Sequence, residues 1–196
     1  MARFLGLLVF LGWVLAARAA EPLATQPLVD ELRKGGYVLY LRHTSTDFGR
    51  NDANMRSLED CANQRPLTDK GRDEARAVAA HLKRLGIPVD KVYASPFCRT
   101  VETAMLAFGK AEKSPAVRGG PVQSDDPKRY DGLRKLLSTP PAPGRNNAIS
   151  SHGNPFHAIF GPPYLAEGEI AAVRPSGDAG FEIAGRIRLD DWAQLR

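Results

Sequence analysis

An α/β fold is predicted: a three-layer α/β/α sandwich with a mostly parallel central sheet and an antiparallel edge. Three observations carry it. Short apolar, β-rich runs at 36–41 (GYVLYL), 89–94 (VDKVYA) and 147–151 (NAISS) read as buried strands. Stretches with helical spacing separate them, as a parallel sheet requires. The chain then ends on two strand-like segments, 169–174 and 181–189, joined by the turn Ser176-Gly177-Asp178-Ala179-Gly180, which supplies the antiparallel edge.

Residues 1–20 come first in order. Arg3 provides a positive start, 4–16 is an uninterrupted apolar run, and Ala17-Arg18-Ala19 places small residues where a signal peptidase reads. A membrane-spanning helix needs roughly 20 apolar residues, and this run is shorter. Residues 1–19 are therefore expected to be a cleaved signal peptide rather than a stable anchor, leaving 20–196 as one domain exported to the periplasm or secreted. No cysteine follows the run, which argues against a lipoprotein.

After the first strand, 44–66 is polar and irregular, a long loop of the kind that often frames a site. Thr68-Asp69-Lys70-Gly71 opens a helix in which Ala75, Val78, Ala79, Leu82 and Leu85 recur at helical spacing, and Gly86 ends it. Following the second strand, Ser95-Pro96 reads as the cap and first turn of a helix running to about Phe108. A short strand is expected at 116–118, a helix near 126–137, a stiff PPAPG turn at 140–144 and a short helix at 154–160.

The chain has 196 residues, enough for one domain with a sizeable core, and 25% of them are charged. Its formal charge is +5, from 27 basic and 22 acidic residues; losing Arg3 and Arg18 with the leader lowers it to +3. No basic stripe with interleaved aromatics is present, so nucleic acid is not the expected partner. The balance suits a small anionic substrate. Cys61 and Cys98 are either a disulfide, which export permits, or two buried free thiols. With no CxxC and no His/Cys zinc spacing, neither metal nor cofactor is expected.

In such sheets, ligands bind at the carboxyl ends of the strands. Here those ends deliver Arg42-His43-Thr44, then Ser95 through Arg99 to Thr103, then Ser151-His152-Gly153-Asn154. Two histidines and two arginines can thus share one crevice. A neutral imidazole is a good nucleophile toward phosphorus, and planar guanidiniums bind phosphate oxygens while staying charged. His81 is read as a solvated residue and His157 as a structural one.

These residues resemble the histidine phosphatase superfamily, also called phosphoglycerate-mutase-like. The resemblance rests on Leu41-Arg42-His43, on Arg65-Pro66-Leu67-Thr68 to Gly71-Arg72, on Ser95-Pro96 through Arg99 to Thr103-Ala104, and on Ser151-His152-Gly153-Asn154. Its compact size is similar to the smaller branch, near phosphohistidine phosphatases and exported relatives. The resemblance implies a metal-independent phosphatase acting on a phosphomonoester or phosphohistidine. His43 would be the nucleophile, with Arg42, Arg99 and His152 forming the phosphate pocket. For the general acid it points to the segment after the third strand, hence Asp125 or Asp126, with Glu167 and Glu169 as the other source. Thr44 departs from the pattern, which has glycine there; it either crowds the phosphate or donates a hydroxyl to it. A phosphomutase and a non-catalytic phospholigand-binding module are the alternative readings.

Overall fold

The computed structural model describes residues 25–119, 126 and 128–196. The expected signal peptide and Asp125 lie outside these residues. A six-stranded sheet forms the middle layer. Its strands are β1 (Val38–Arg42), β2 (Val89–Ala94), β3 (Glu112–Lys113), β4 (Asn146–Ser151), β5 (Ile170–Pro175) and β6 (Phe181–Ile187). They lie in the order β3-β2-β4-β1-β5-β6. The first four are parallel, and β5 and β6 complete an antiparallel edge, as the sequence predicts.

Alternation along β1 shows why both faces are covered. Leu39 and Leu41 enter one core with α1 (Thr25–Lys34), α2 (Asp69–Arg84) and α3 (Cys98–Phe108). Val38 and Tyr40 enter the other with α4 (Asp131–Ser138) and α5 (Gly153–Phe160). A strand buried on both sides needs an unbroken apolar run, and VLYL supplies one. Asn146 ties the amino end of the sheet together: its amide donates to the Leu32 and Pro88 carbonyls at 2.7 and 2.9 Å and accepts from the Tyr37 N–H at 3.0 Å.

Several elements differ from expectation. Residues 116–118 are not a strand: Pro115–Val117 form a 3-10 turn, and the edge strand lies just before, at β3. Proline has no N–H to give a ladder, which favours the turn. The helix expected near 126–137 begins only at Asp131. α1 comes from a stretch to which the sequence reading assigns no element; its Leu28, Val29 and Leu32 are fully buried. Helix α3 is capped at Phe97 rather than Ser95, whose hydroxyl is engaged elsewhere. His81 is not simply solvated, since its ring stacks on buried Trp192 at 5.7 Å.

Cys61 and Cys98 form a disulfide, with Cα atoms 5.7 Å apart. It fastens the long loop between β1 and α2 to the first turn of α3. Gln64, fully buried, reinforces the joint by accepting from the Cys98 N–H at 2.9 Å and donating to the Leu58 carbonyl. At the loop's other end Gly71 passes the chain closely: a Cβ there would lie 2.0 Å from the Ser45 carbonyl oxygen. Only glycine lets α2 begin against that loop.

Candidate active site

The sheet register brings the site together. Parallel pairing sets Arg42 beside Ser151, so the next residues, His43 and His152, emerge side by side. The His43 N–H donates to the Ser151 carbonyl at 2.9 Å, and the rings meet edge-on with centroids 5.5 Å apart. On the other side of β4, Ala94 pairs with Ser150. Ser95, one residue on, brings its hydroxyl 2.8 Å from His152 Nε2. Tyr40 fixes the backbone there, donating from its hydroxyl to the His152 carbonyl at 2.8 Å.

His43 is 2% exposed. Its Nδ1 lies 3.0 Å from the Thr44 carbonyl oxygen. A carbonyl can only accept, so Nδ1 carries the proton and Nε2 keeps its lone pair. Burial pushes the His43 pKa down to about 3, and the charges of Arg99, Arg42 and Arg65 push the same way. Burial holds His152 well below its usual value too, aided by His43 and the same three arginines. Both rings are therefore neutral at neutral pH.

Each arginine of the predicted pocket has a carboxylate beside it. Arg42 donates to the Leu165 carbonyl at 2.6 Å and faces Glu167 at 3.6 Å. Arg99, the second residue of α3, is 6% exposed, pairs with Asp52 at 3.1 Å and lies over the Phe97 ring at 4.6 Å. Burial lowers the pKa of both guanidiniums, yet arginine remains charged. Their Nε–H groups are buried without a partner among the described residues, a cost that functional sites often carry.

A cavity of about 310 Å³ opens beside this cluster, lined in part by Arg99, His152, Asp52 and Phe97. Arg42, His43, Arg99 and His152 thus converge as predicted. Of the described acid candidates, Asp126 and Glu169 do not join them, while Glu167 does. Asp126 is exposed and accepts from the Lys128 N–H at 2.9 Å, a turn-capping role. Glu169 is buried in an ion pair with Arg186 at 2.7 Å and also accepts from the Ala166 N–H, which makes it structural rather than an acid. Glu167 sits at the Nδ1 side of His43, 3.7 Å away, where it accepts from the Thr46 hydroxyl at 2.7 Å. Thr44 does not crowd the site: its hydroxyl lies 3.4 Å from that of Thr103 on α3.

Three contributors are absent from the predicted set: Arg65, Asp52 and Ser95. Arg65 stands directly before Pro66 in the stretch that carries the resemblance, and that was its signal. Glu167, named as an acid candidate, reaches His43 through the topology. Because β5 runs antiparallel to β1, the residues leading into β5 arrive where β1 ends.

The buried neutral histidines have a thermodynamic consequence. In the unfolded chain imidazoles protonate near pH 6.5. Below that pH unfolding takes up protons, so stability is fully present above about pH 6.5 and is lost as pH falls toward the folded value. The slope approaches about 1.4 kcal/mol per pH unit for each such histidine. We expect the melting temperature to fall between pH 7 and 5 and His43→Gln to flatten the decline. An equally steep decline in that variant would contradict neutral burial.

Residues 38–119 match the family model of the histidine phosphatase superfamily (branch 1). No protein curated for function matches the chain. Among solved structures, the protein histidine phosphatase SixA complexed with tungstate is 20% identical, with 79% of this chain and 98% of that one covered and a TM-score of 0.54. A phosphoserine phosphatase mutant from Entamoeba histolytica in complex with phosphoserine is 13% identical, with coverage of 79% and 98% and a TM-score of 0.54. Bacillus stearothermophilus YhfR is 17% identical, with coverage of 76% and 95% and a TM-score of 0.52. At such identities these structures speak for the fold. The chain thus matches the histidine phosphatase superfamily (branch 1) model across residues 38–119, which hold His43 and Arg99, and shares its fold with these solved structures.

Proposed function

We propose that the protein is an exported, metal-independent phosphatase that hydrolyses a phosphomonoester or phosphohistidine through a phosphohistidine on His43. The observation that carries this reading is the contact of His43 Nδ1 with the Thr44 carbonyl at 3.0 Å, which assigns the proton to Nδ1 and leaves Nε2 its lone pair beside His152. Nε2 attacks phosphorus, and the P–O bond to the leaving group breaks. Arg42, Arg99 and His152 bind the non-bridging oxygens as charge moves onto them. Arg65 adds positive charge without being counted among the three donors. A carboxylic acid protonates the leaving oxygen; we assign it to Asp125, on the sequence alone. Water then gives a proton to the Asp125 carboxylate and attacks phosphorus, the P–N bond to Nε2 breaks, and phosphate leaves with His43 neutral again.

The names of similar proteins support a phosphatase in general terms: one is a protein histidine phosphatase and another a phosphoserine phosphatase. Export is supported by the sequence of residues 1–19 and by the disulfide, which suits an oxidising compartment. Among the described residues no helix is long and apolar enough to cross a membrane. The domain is then 20–196.

Trapping tests the chemistry. Protein mixed briefly with ³²P-labelled substrate and quenched in alkali should carry a label that acid removes, as a phosphoramidate behaves, on the peptide holding His43. A label on a serine or aspartate peptide, or none during turnover, would defeat the proposal.

A further inference from the structure

We propose that Glu167 is a positioning residue for the phosphohistidine: its carboxylate, held beside Nδ1 of His43, stabilises the positive charge that the ring carries while the phosphoryl group is bound to Nε2. The inference rests on the phosphatase reading above and gives Glu167 a role other than that of acid.

The charge follows from the chemistry. The free ring is neutral, with its proton on Nδ1. When Nε2 gives its lone pair to phosphorus, the P–O bond breaks and its electron pair leaves with the oxygen. No proton leaves the ring, so the imidazole of the intermediate is a cation. Attack by water returns the electron pair of the P–N bond to Nε2, and the ring is neutral again. The surroundings oppose that transient cation. His43 is 2% exposed, and Arg42, Arg65 and Arg99 all act against positive charge on it. The bound phosphoryl group offsets the arginines on the Nε2 side. On the Nδ1 side the offset comes from Glu167, whose carboxylate lies 3.7 Å from that nitrogen. Coulomb attraction at this distance is strong where water is largely excluded.

Glu167 is built into its place from two directions. Its side chain is 15% exposed, and its oxygens accept from the Thr46 hydroxyl at 2.7 Å and from the Thr46 N–H at 3.3 Å. Thr46 is itself buried and bridged to Leu67. On the backbone side, the Gly168 N–H donates to the carbonyls of Arg42 and His43 at 3.2 and 3.1 Å. Gly168 has a φ of +77°, and a Cβ there would lie 2.6 Å from Leu189 Cδ1, so this close turn needs glycine. A carboxylate already fixed where charge will appear costs no reorganisation during the reaction.

Position also separates Glu167 from the acid. The leaving oxygen lies in line with Nε2 and phosphorus, whereas Glu167 sits beside Nδ1, away from that line. Nor is it simply a partner for Arg42. Its oxygen is 3.6 Å from Arg42 Nη2, longer than a hydrogen bond, and Arg42 Nη1 is taken by the Leu165 carbonyl.

Rapid quenching with an aryl phosphate resolves the two steps. In Glu167→Gln, which keeps the shape and loses the charge, labelling of His43 should slow about tenfold or more. The phosphohistidine, once formed, should lose its phosphate faster than in the wild type. The changes are opposed because a less stabilised cation is harder to form and easier to discharge. Glu167→Asp, which keeps the charge, should recover part of both. Thr46→Val, which loosens the anchor of the carboxylate, should show the same pattern at smaller size. Calorimetry with propylphosphonate, a non-hydrolysable ligand, should give a Kd within about threefold of wild type in each variant, which also shows that each is folded. Both steps slowing together, neither changing, or a phosphonate Kd that rises as much as labelling falls would overturn the inference and leave the phosphatase reading standing. If wild-type His43 took no label, that reading would fall, and this inference with it.

Discussion

Replacing His43 with alanine should lower the turnover of an aryl phosphate by at least about 10⁴-fold while leaving phosphonate binding nearly intact, the signature of a lost nucleophile. Arg42, Arg99 and His152 hold their places without the imidazole. Arg42 is bound to the Leu165 carbonyl and faces Glu167, Arg99 is paired with Asp52, and His152 is held by Ser95. The phosphate pocket should therefore survive the substitution, and the Kd for propylphosphonate should change by less than about tenfold. The buried ring is small, so the fold should persist with a loss of about 1–3 kcal/mol, visible as a modest drop in melting temperature with unchanged circular dichroism.

The same pair of measurements separates the alternative readings. A non-catalytic phospholigand-binding module would bind phosphonate in both proteins and turn over nothing in either. A phosphomutase would label His43 yet pass the phosphoryl group to a second acceptor hydroxyl in preference to water. Equal turnover in wild type and variant would place the nucleophile elsewhere.

The sequence carried the sheet and the reacting centre because both depend on local pattern. Residues 38–41 are apolar without a break since they bury both faces, and an Arg-His pair at the carboxyl end of such a strand is visible without a structure. His152 was legible for the same reason at the end of β4. What could not be read depends on pairing between distant segments. Asp52 meets Arg99 across 47 positions of sequence, and nothing near either residue announces the contact. Ser95 resembled a helix cap because Ser-Pro usually is one. Here its hydroxyl goes to His152, and the helix starts without a side-chain cap at Phe97. Glu169 resembled a site carboxylate by position, but the partner that removes it, Arg186, belongs to the edge strand β6. In each case a long-range partner outweighed the local propensity.

Loss of the Cys61–Cys98 disulfide should be the largest single blow to stability. The bridge closes a loop spanning 37 positions, and removing such a cross-link costs roughly 4 kcal/mol when the gain comes from restricting the unfolded chain. For a domain of this size that corresponds to a fall in melting temperature of roughly 10 °C. The effect should not stop at stability. Cys98 is the first residue of α3 and Arg99 the second, while the other end of the bridge restrains the loop that supplies Asp52 to Arg99 and to the Arg65 N–H. Released from the bridge, that loop can withdraw the carboxylate that orients Arg99, and a guanidinium that must be ordered anew in each encounter binds the phosphoryl group less well. A Cys61→Ser/Cys98→Ser variant, measured well below its melting temperature, should therefore lose about tenfold in kcat/KM for an aryl phosphate in addition to its stability. Asp52→Asn, with the bridge intact, should reproduce most of the catalytic loss and little of the thermal one. If the double-serine variant kept full kcat/KM while losing its thermal stability, the bridge would be a staple for the fold alone, and the Asp52 loop would hold Arg99 without its help.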